Sequence, residues 1–310
     1  MRLLASLALA TCLLSSAVAA QVPDDGVETV LVTGEQPGPS LWEVTDGEHS
    51  LWLLASYAPL PSGLQWKSDE VAAIIAQAQE VIGPYQASFK VSDSDTLRAK
   101  KSRLKRVLPR KEYARWRALK KKYIGAVDTE ELLPAYAAML LRISALQRSG
   151  LVYTDDLWRT IYMLAHRHHV PVSIAHQVTI PITDGSRTGK NQQRIGVDYL
   201  IETMDRLENE LRTARIHANA WATGDIEELR ELAVSDQAYA LLNAHSWPFL
   251  QGDELQAALA RTDEKWIEAA DAALKRNVTT FAVLPAYLVF QENGPLAALA
   301  SRGYVVLEPE

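Results

Sequence analysis

Seven histidines and a single cysteine, Cys12, set narrow limits on the metal and thiolate chemistry open to this chain of 310 residues. Four of the histidines, His166, His168, His169 and His176, lie close together in sequence, and His166 and His169 share one helical face at i and i+3. Neutral imidazole suits zinc, copper or nickel, so His166, His169 and His176 are the local candidates for a divalent metal. No cysteine is near to complete a tetrahedral set. Histidines at the end of a helix are also favoured by the helix dipole alone, which is the simpler expectation, and no cofactor is expected. His49, His217 and His245 stand alone in the sequence and are assigned no role.

Nucleophilic chemistry has less to stand on. The chain has no Gly-x-Ser-x-Gly elbow, and Ser56-Tyr57 has no base at motif spacing. Gly185-Ser186-Arg187-Thr188-Gly189-Lys190-Asn191 is one residue short of phosphate-loop spacing and ends on Asn where a metal-binding hydroxyl is needed, so it reads as a loop. The acidic pairs Glu130-Glu131 and Glu227-Glu228 fall at expected helix starts, where the dipole stabilises carboxylates without any acid–base role.

The strongest compositional signal is basic. Thirteen Lys or Arg fall between Arg98 and Lys122, against one acid, Glu112. Arg103, Lys105, Arg106, Arg110, Lys111, Lys120, Lys121 and Lys122 are the candidate anion-binding set, with Tyr113, Trp116 and Tyr123 interleaved. Such a run fits an anionic polysaccharide, lipid headgroups or an envelope protein. It is equally a solvated helical exterior that the chain, or a second copy of it, neutralises. The formal net charge of −6 argues against a surface that is wholly a nucleic-acid footprint, so no nucleic-acid partner is expected.

The elements that must position these groups follow from periodicity. Arg2, the apolar run Leu3 to Leu14 and the small residues up to Ala20 read as a signal peptide over residues 1–20, too short to span a bilayer. That predicts export to the periplasm or beyond, a mature chain without cysteine, and no transmembrane helix thereafter. Residues 21–40 are a lead-in that includes the β-rich Val27 to Thr33. Leu41-Trp42-Glu43-Val44 and Ser50-Leu51-Trp52-Leu53-Leu54 flank Asp46-Gly47, a strong hairpin signal. Ser68 can cap a helix carrying Val71, Ile74, Ile75, Ala78 and Ile82, which Gly83-Pro84 stops, and a strand is expected over Tyr85 to Val91.

A helical insert at about 95–150 carries an expected apolar stripe of Leu132, Tyr136, Met139, Leu140 and Ile143. A helix from Thr154 to Val170, a short strand at Val172 to Ile174 and a loop over Thr183 to Arg194 follow. Leu200, Met204, Leu207 and Leu211 then mark a long helix from near Val197 to Gly224, with Asp225 capping the next. Strands at Thr279 to Leu284 and Tyr304 to Leu307 close the chain. Strands at both ends with helices between predict one α+β domain over 41–310, its mixed sheet built from N- and C-terminal strands around a large helical middle section.

Leu41-Trp42-Glu43-Val44-x-Asp46-Gly47, Leu51-x-Leu53-Leu54 and Leu60-Pro61-x-Gly63-Leu64-x-Trp66 resemble the opening of the TraB/GumN family, which is related to the TIKI metalloproteases. Ala220-Trp221-x-x-Gly224-Asp225, Phe281-Ala282-Val283 and Leu296-x-x-Leu299-x-x-Arg302-Gly303-Tyr304-x-Val306 extend the resemblance over about 270 residues. The resemblance implies that the two terminal strand regions meet to build the site, and that two histidines of Gly-rich motifs bind metal there. Both are replaced in this chain. Ala55-Ser56-Tyr57-Ala58 stands where the family carries Gly-Thr-x-His, and Leu284-Pro285-Ala286-Tyr287-Leu288 where it carries Gly-x-Gly-His-Leu. His176 matches a usual Glu, and an Arg-Asn pair survives as Arg261-Thr262.

A methyl group coordinates nothing, and a phenol with a pKa near 10 is a poor ligand for most divalent ions. The degenerate site candidates are therefore Ala58, Tyr287, Tyr57, His176 and Arg261. The expected function is an exported envelope binding or accessory protein descended from metal-dependent hydrolases. The alternatives are a metallohydrolase or peptidase with a site rebuilt around His176, Tyr57 and Tyr287, and a structural partner in an envelope assembly.

Overall fold

A computed structural model describes residues 38–84, 86–91, 103–152, 156–182, 190–231 and 252–309. Residues 1–20, read as a signal peptide, lie outside them, as do Val27 to Thr33, the start of the helical insert with Arg98, Lys100 and Lys101, and most of the loop expected over Thr183 to Arg194. One compact unit spans Gln36–Glu310.

Strands β1 (Leu41–Thr45) and β2 (Ser50–Ser56) form the antiparallel hairpin its sequence announces. Asp46 holds the turn: Oδ1 accepts from the backbone N–H groups of Glu48 at 3.0 Å and His49 at 2.8 Å, while Gly47 takes the positive φ that the turn requires. On its other side β2 runs parallel to β9 (Thr279–Pro285), from Ser50 opposite Thr279 to Ser56 opposite Pro285. With β4 (Glu80–Gly83), β7 (Val172–Ile174) and β10 (Val305–Leu307), the sheet has the order β10-β1-β2-β9-β4-β7. The first and last strands of the fold thus share one mixed sheet, as the pattern of elements requires.

Both sheet faces are covered, which is why β9 reads as an unbroken apolar run rather than an alternating one. On one face Leu54, Phe281 and Val283 pack with Ile75 of α1 (Asp69–Gln77), Ile161 of α5 (Asp156–Arg167) and Trp221 of α6 (Lys190–Thr223). On the other, Leu51, Leu53, Ala282 and Leu284 pack with Trp266 and Ala270 of α8 (Gly252–Leu274) and Leu299 of α10 (Pro295–Ser301). Residues 226–231 are helical, α7, and Asp225 caps them by accepting from the Glu228 N–H at 3.1 Å.

The middle section is helical: α2 (Leu104–Val107), α3 (Arg110–Leu119), a π-helical turn over Lys120–Ile124 and α4 (Pro134–Arg148). Leu104, Trp116, Tyr123 and Leu141 pack there with Leu200, Met204 and Leu207 of α6, a third core cluster. Local expectations are corrected. The helix α1 ends at Gln77 and not at Gly83-Pro84, because the chain turns extended at Ala78 (ψ 146°) and Ile82 is buried in β4. Ile143 is exposed, because α4 turns its alanine face, Ala137, Ala138 and Ala145, towards α6; Leu132, Met139 and Leu140 are only half-buried. The helix α6 begins at Lys190, a turn or two before Val197. Residues Gln177–Ile182, on which no element was expected, form a strand, β8, pairing in parallel with β5 (Gln86–Val91) in a separate two-stranded sheet, and β3 (Leu60–Pro61) pairs antiparallel with β6 (Leu151–Val152) in another. Ser68 does precede α1, but its side chain makes no capping bond. Among the described residues, no helix is long and apolar enough to cross a membrane.

Candidate functional site

Because β2 and β9 are parallel and in register, their chains leave the sheet at the same end. Tyr57 and Ala58 follow β2; Ala286 and Tyr287 open α9 (Ala286–Val289) directly after β9. These residues share one cavity of about 250 Å³ with Pro84 beyond β4 and with Leu157 and Trp158 of α5. Ligand sites lie outside the carboxyl ends of parallel strands in open sheets, and this cavity occupies that position. Gly83 makes the Trp158 wall possible, since a Cβ at that position would sit 2.7 Å from the indole ring. The end of β2 is fixed by Trp221, whose buried indole N–H donates to the Ala55 carbonyl at 2.7 Å. Trp66 packs edge-on against the same indole, with ring centroids 5.7 Å apart.

Tyr57 and Ala58 also line a second cavity, of about 300 Å³, completed by Pro59, by Arg142 of α4 and by a polar face of α6. On α6, Arg206, Glu210, Thr213 and His217 recur at intervals of four, three and four, one helical face. Arg142 Nε donates to Glu210 Oε1 at 2.5 Å, and Arg206 pairs with Glu202 at 2.9 Å, so both cations have a counter-charge. The Tyr57 hydroxyl lies 3.1 Å from His217 Nδ1, with the rings edge to face and 6.0 Å between centroids. Burial pushes the His217 pKa down to about 4, so its imidazole is neutral at physiological pH. A phenol hydroxyl donating to Nδ1 leaves the ring hydrogen on Nε2, a donor available to a ligand.

Of the residues singled out from sequence, Tyr57, Ala58 and Tyr287 converge on the strand-end cavity. Among the described residues lining either cavity, neither His176 nor Arg261 appears. His176 follows β7 by two residues, and Arg261 is exposed on α8 beside the buried Thr262. His166, His168 and His169 are exposed where α5 ends, with His169 in the left-handed conformation. His217, Glu210 and Arg142 were not singled out. The polar spacing on α6 was a usable signal for the first two, hidden beneath the more regular apolar stripe of the same helix.

The resemblance implies a divalent metal at the strand ends, and the donors present do not fit one. The polar side-chain groups among the described lining residues of that cavity are the hydroxyl of Ser56, the phenols of Tyr57 and Tyr287, and the indole N–H of Trp158, which has no lone pair to give a metal; imidazole, thiolate or carboxylate donors are what such an ion needs. Among the described residues, no group of three or more His, Cys, Asp or Glu is placed to hold a metal ion.

Compared with known proteins, the chain matches the family described as TraB/PrgY/gumN over residues 40–307, a span that runs from the start of β1 to the end of β10 and includes the residues lining both cavities. No curated protein and no solved structure matches the chain. The chain belongs to the TraB/PrgY/gumN family.

Proposed function

We propose that this chain is an exported binding or accessory protein of the cell envelope, a catalytically degenerate member of its family that takes a small organic ligand at the ends of β2 and β9 without a metal. One observation carries the reading: the two positions that the family resemblance fills with imidazoles present a methyl group, Ala58, and a phenol, Tyr287, to one cavity whose other walls are mainly Trp158, Leu157, Val283 and prolines. Such a surface suits an apolar or aromatic group held by a few hydroxyls. Metal analysis of the purified mature protein, with peptide hydrolysis measured with and without chelator, tests it. Zinc, cobalt and manganese well below stoichiometry and no chelator-sensitive cleavage are expected; a stoichiometric metal with chelator-sensitive cleavage would overturn the reading. Export rests on the N-terminal pattern, and N-terminal sequencing of exported protein should begin at Ala20 or Gln21, not Met1.

A second reading, a rebuilt hydrolase, is favoured by the Tyr57–His217 contact, because a neutral imidazole bonded to a phenol can act as a base. On that reading His217→Gln and Tyr57→Phe each lower hydrolysis by about 100-fold, and the activity is insensitive to chelator. Turnover unchanged in both variants would exclude it.

A further inference from the structure

The basic stretch stands on observations independent of the two cavities. Lys105 and Arg106 of α2, Arg110, Lys111 and Arg117 of α3, and Lys121 of the π-helical turn are all exposed, and among the described residues none of the six has a carboxylate within ion-pair distance. Their neighbours differ: Arg103 pairs with Glu131 at 3.6 Å, and Arg115 with Asp205 of α6. The apolar side of α3 is already used, since Trp116 is fully buried and Leu119 packs on the same core. What α3 turns to solvent is Arg110, Lys111, Ala114, Arg117 and Ala118, cations separated by small residues.

At its start this arrangement works against the helix that carries it. Arg110 and Lys111 occupy the first turn of α3, where the dipole disfavours positive charge, and Arg117 and Lys121 are like charges four residues apart. Arg110 and Lys111, kept at an unfavourable helix start with no carboxylate partner among the described residues, are better explained by a ligand than by folding.

We propose that this strip is a docking surface for a linear polyanion, an acidic polysaccharide whose carboxylate or sulfate groups lie along α3. Three features favour a chain over an anionic bilayer. The cations from Arg110 to Lys121 extend about 16 Å along the helix at 1.5 Å per residue, a track rather than a plane. The strip offers no large apolar side chain for insertion, because Trp116 and Leu119 face the core. Outside residues 98–122 the chain carries far more acids than bases, 37 Asp or Glu against 19 Lys or Arg. A flat anionic membrane would bring that acidic body close to like charge, whereas a narrow polymer touches the strip alone.

The test uses the full mature protein, polygalacturonate as the linear polyanion, and vesicles of phosphatidylglycerol and phosphatidylcholine as the competing surface. The variant is Arg110→Gln/Lys111→Gln/Arg117→Gln/Lys121→Gln; the control, Lys265→Gln/Lys275→Gln/Arg276→Gln/Arg302→Gln, removes as many charges elsewhere. Wild-type protein should bind polygalacturonate at low salt, with log affinity falling linearly against log salt. The strip variant should lose about ten-fold or more and show a shallower salt slope, since it gives up four of the contacts that release counterions. Its melting temperature should be unchanged or raised, which separates lost binding from lost folding. Equal loss in the control, unchanged binding in the strip variant, or no wild-type binding at low salt would overturn the proposal. So would tighter binding to the vesicles, or a salt-sensitive dimer that the strip variant abolishes in a protein that ignores the polymer.

Discussion

Tyr57 is the side chain common to both cavities, with its hydroxyl committed to His217. Removing that hydroxyl in Tyr57→Phe takes a hydrogen bond from a half-buried imidazole and should cost about 1 kcal/mol of unfolding free energy, measurable by urea denaturation. His217 itself sets a pH dependence. Its folded pKa of about 4 lies below the 6.5 of an unfolded chain, so between those values the unfolded state binds more protons and stability falls as the pH is lowered. Glu210, Arg142 and Arg206 share its cavity, and two of these three are paired to each other. His217→Gln should flatten the stability profile between pH 6.5 and 4, as seen in melts across that range. Asp263, on α8, has the opposite sign: burial raises its pKa to about 6, so its protonated form is favoured by folding and stability is lost as the pH rises from 3.8 through 6. Asp263→Asn should stabilise the protein by about 1 kcal/mol at pH 7 and leave it unchanged below pH 3.8. Equal effects at both pH values would contradict that cause.

The elements legible in the sequence were those whose signal is local. Asp46-Gly47 between apolar runs fixed the hairpin, and helical periodicity located most of α6 and the start of α1, though it ran α1 on to Ile82, a residue of β4. Strand β8 carried no expectation although Val178, Ile180 and Ile182 alternate, and its Pro181 is tolerated because each strand of a two-stranded sheet is an edge strand. Ile143 was misplaced because four-residue spacing cannot say which side of α4 a neighbouring helix covers. The meeting of Ala58 and Tyr287 was legible only through the family resemblance, and the Tyr57–His217 contact, between residues 160 apart in sequence, had no local trace at all. The Ala220-Trp221-x-x-Gly224-Asp225 motif was visible as a match, yet its role appears only in three dimensions. Trp221 reaches Ala55 while Gly224, at φ 73°, closes the helix against Ser40. A Cβ on Gly224 would lie 2.9 Å from both the Gly38 carbonyl oxygen and Ser40 Oγ, so Gly224→Ala should destabilise the fold by about 2 kcal/mol or more and loosen the end of β2. Denaturation together with the fluorescence of Trp221 and its neighbour Trp66 would report both effects.

The whole molecule is a sheet closed by its own termini, with a cavity where the chains of β2 and β9 emerge side by side, and an acidic body carrying one basic strip on its helical middle. The chain matches its family over residues 40–307, and the proposed function requires that the ends of β2 and β9 hold no metal. Calorimetric titration of zinc, cobalt and manganese into chelator-treated mature protein, beside Ala58→His/Tyr287→His, tests this most directly. No stoichiometric binding to the wild-type protein and weak binding gained by the double variant are expected; one equivalent bound tightly by the wild type, lost in Tyr287→Phe, would overturn the metal-free reading.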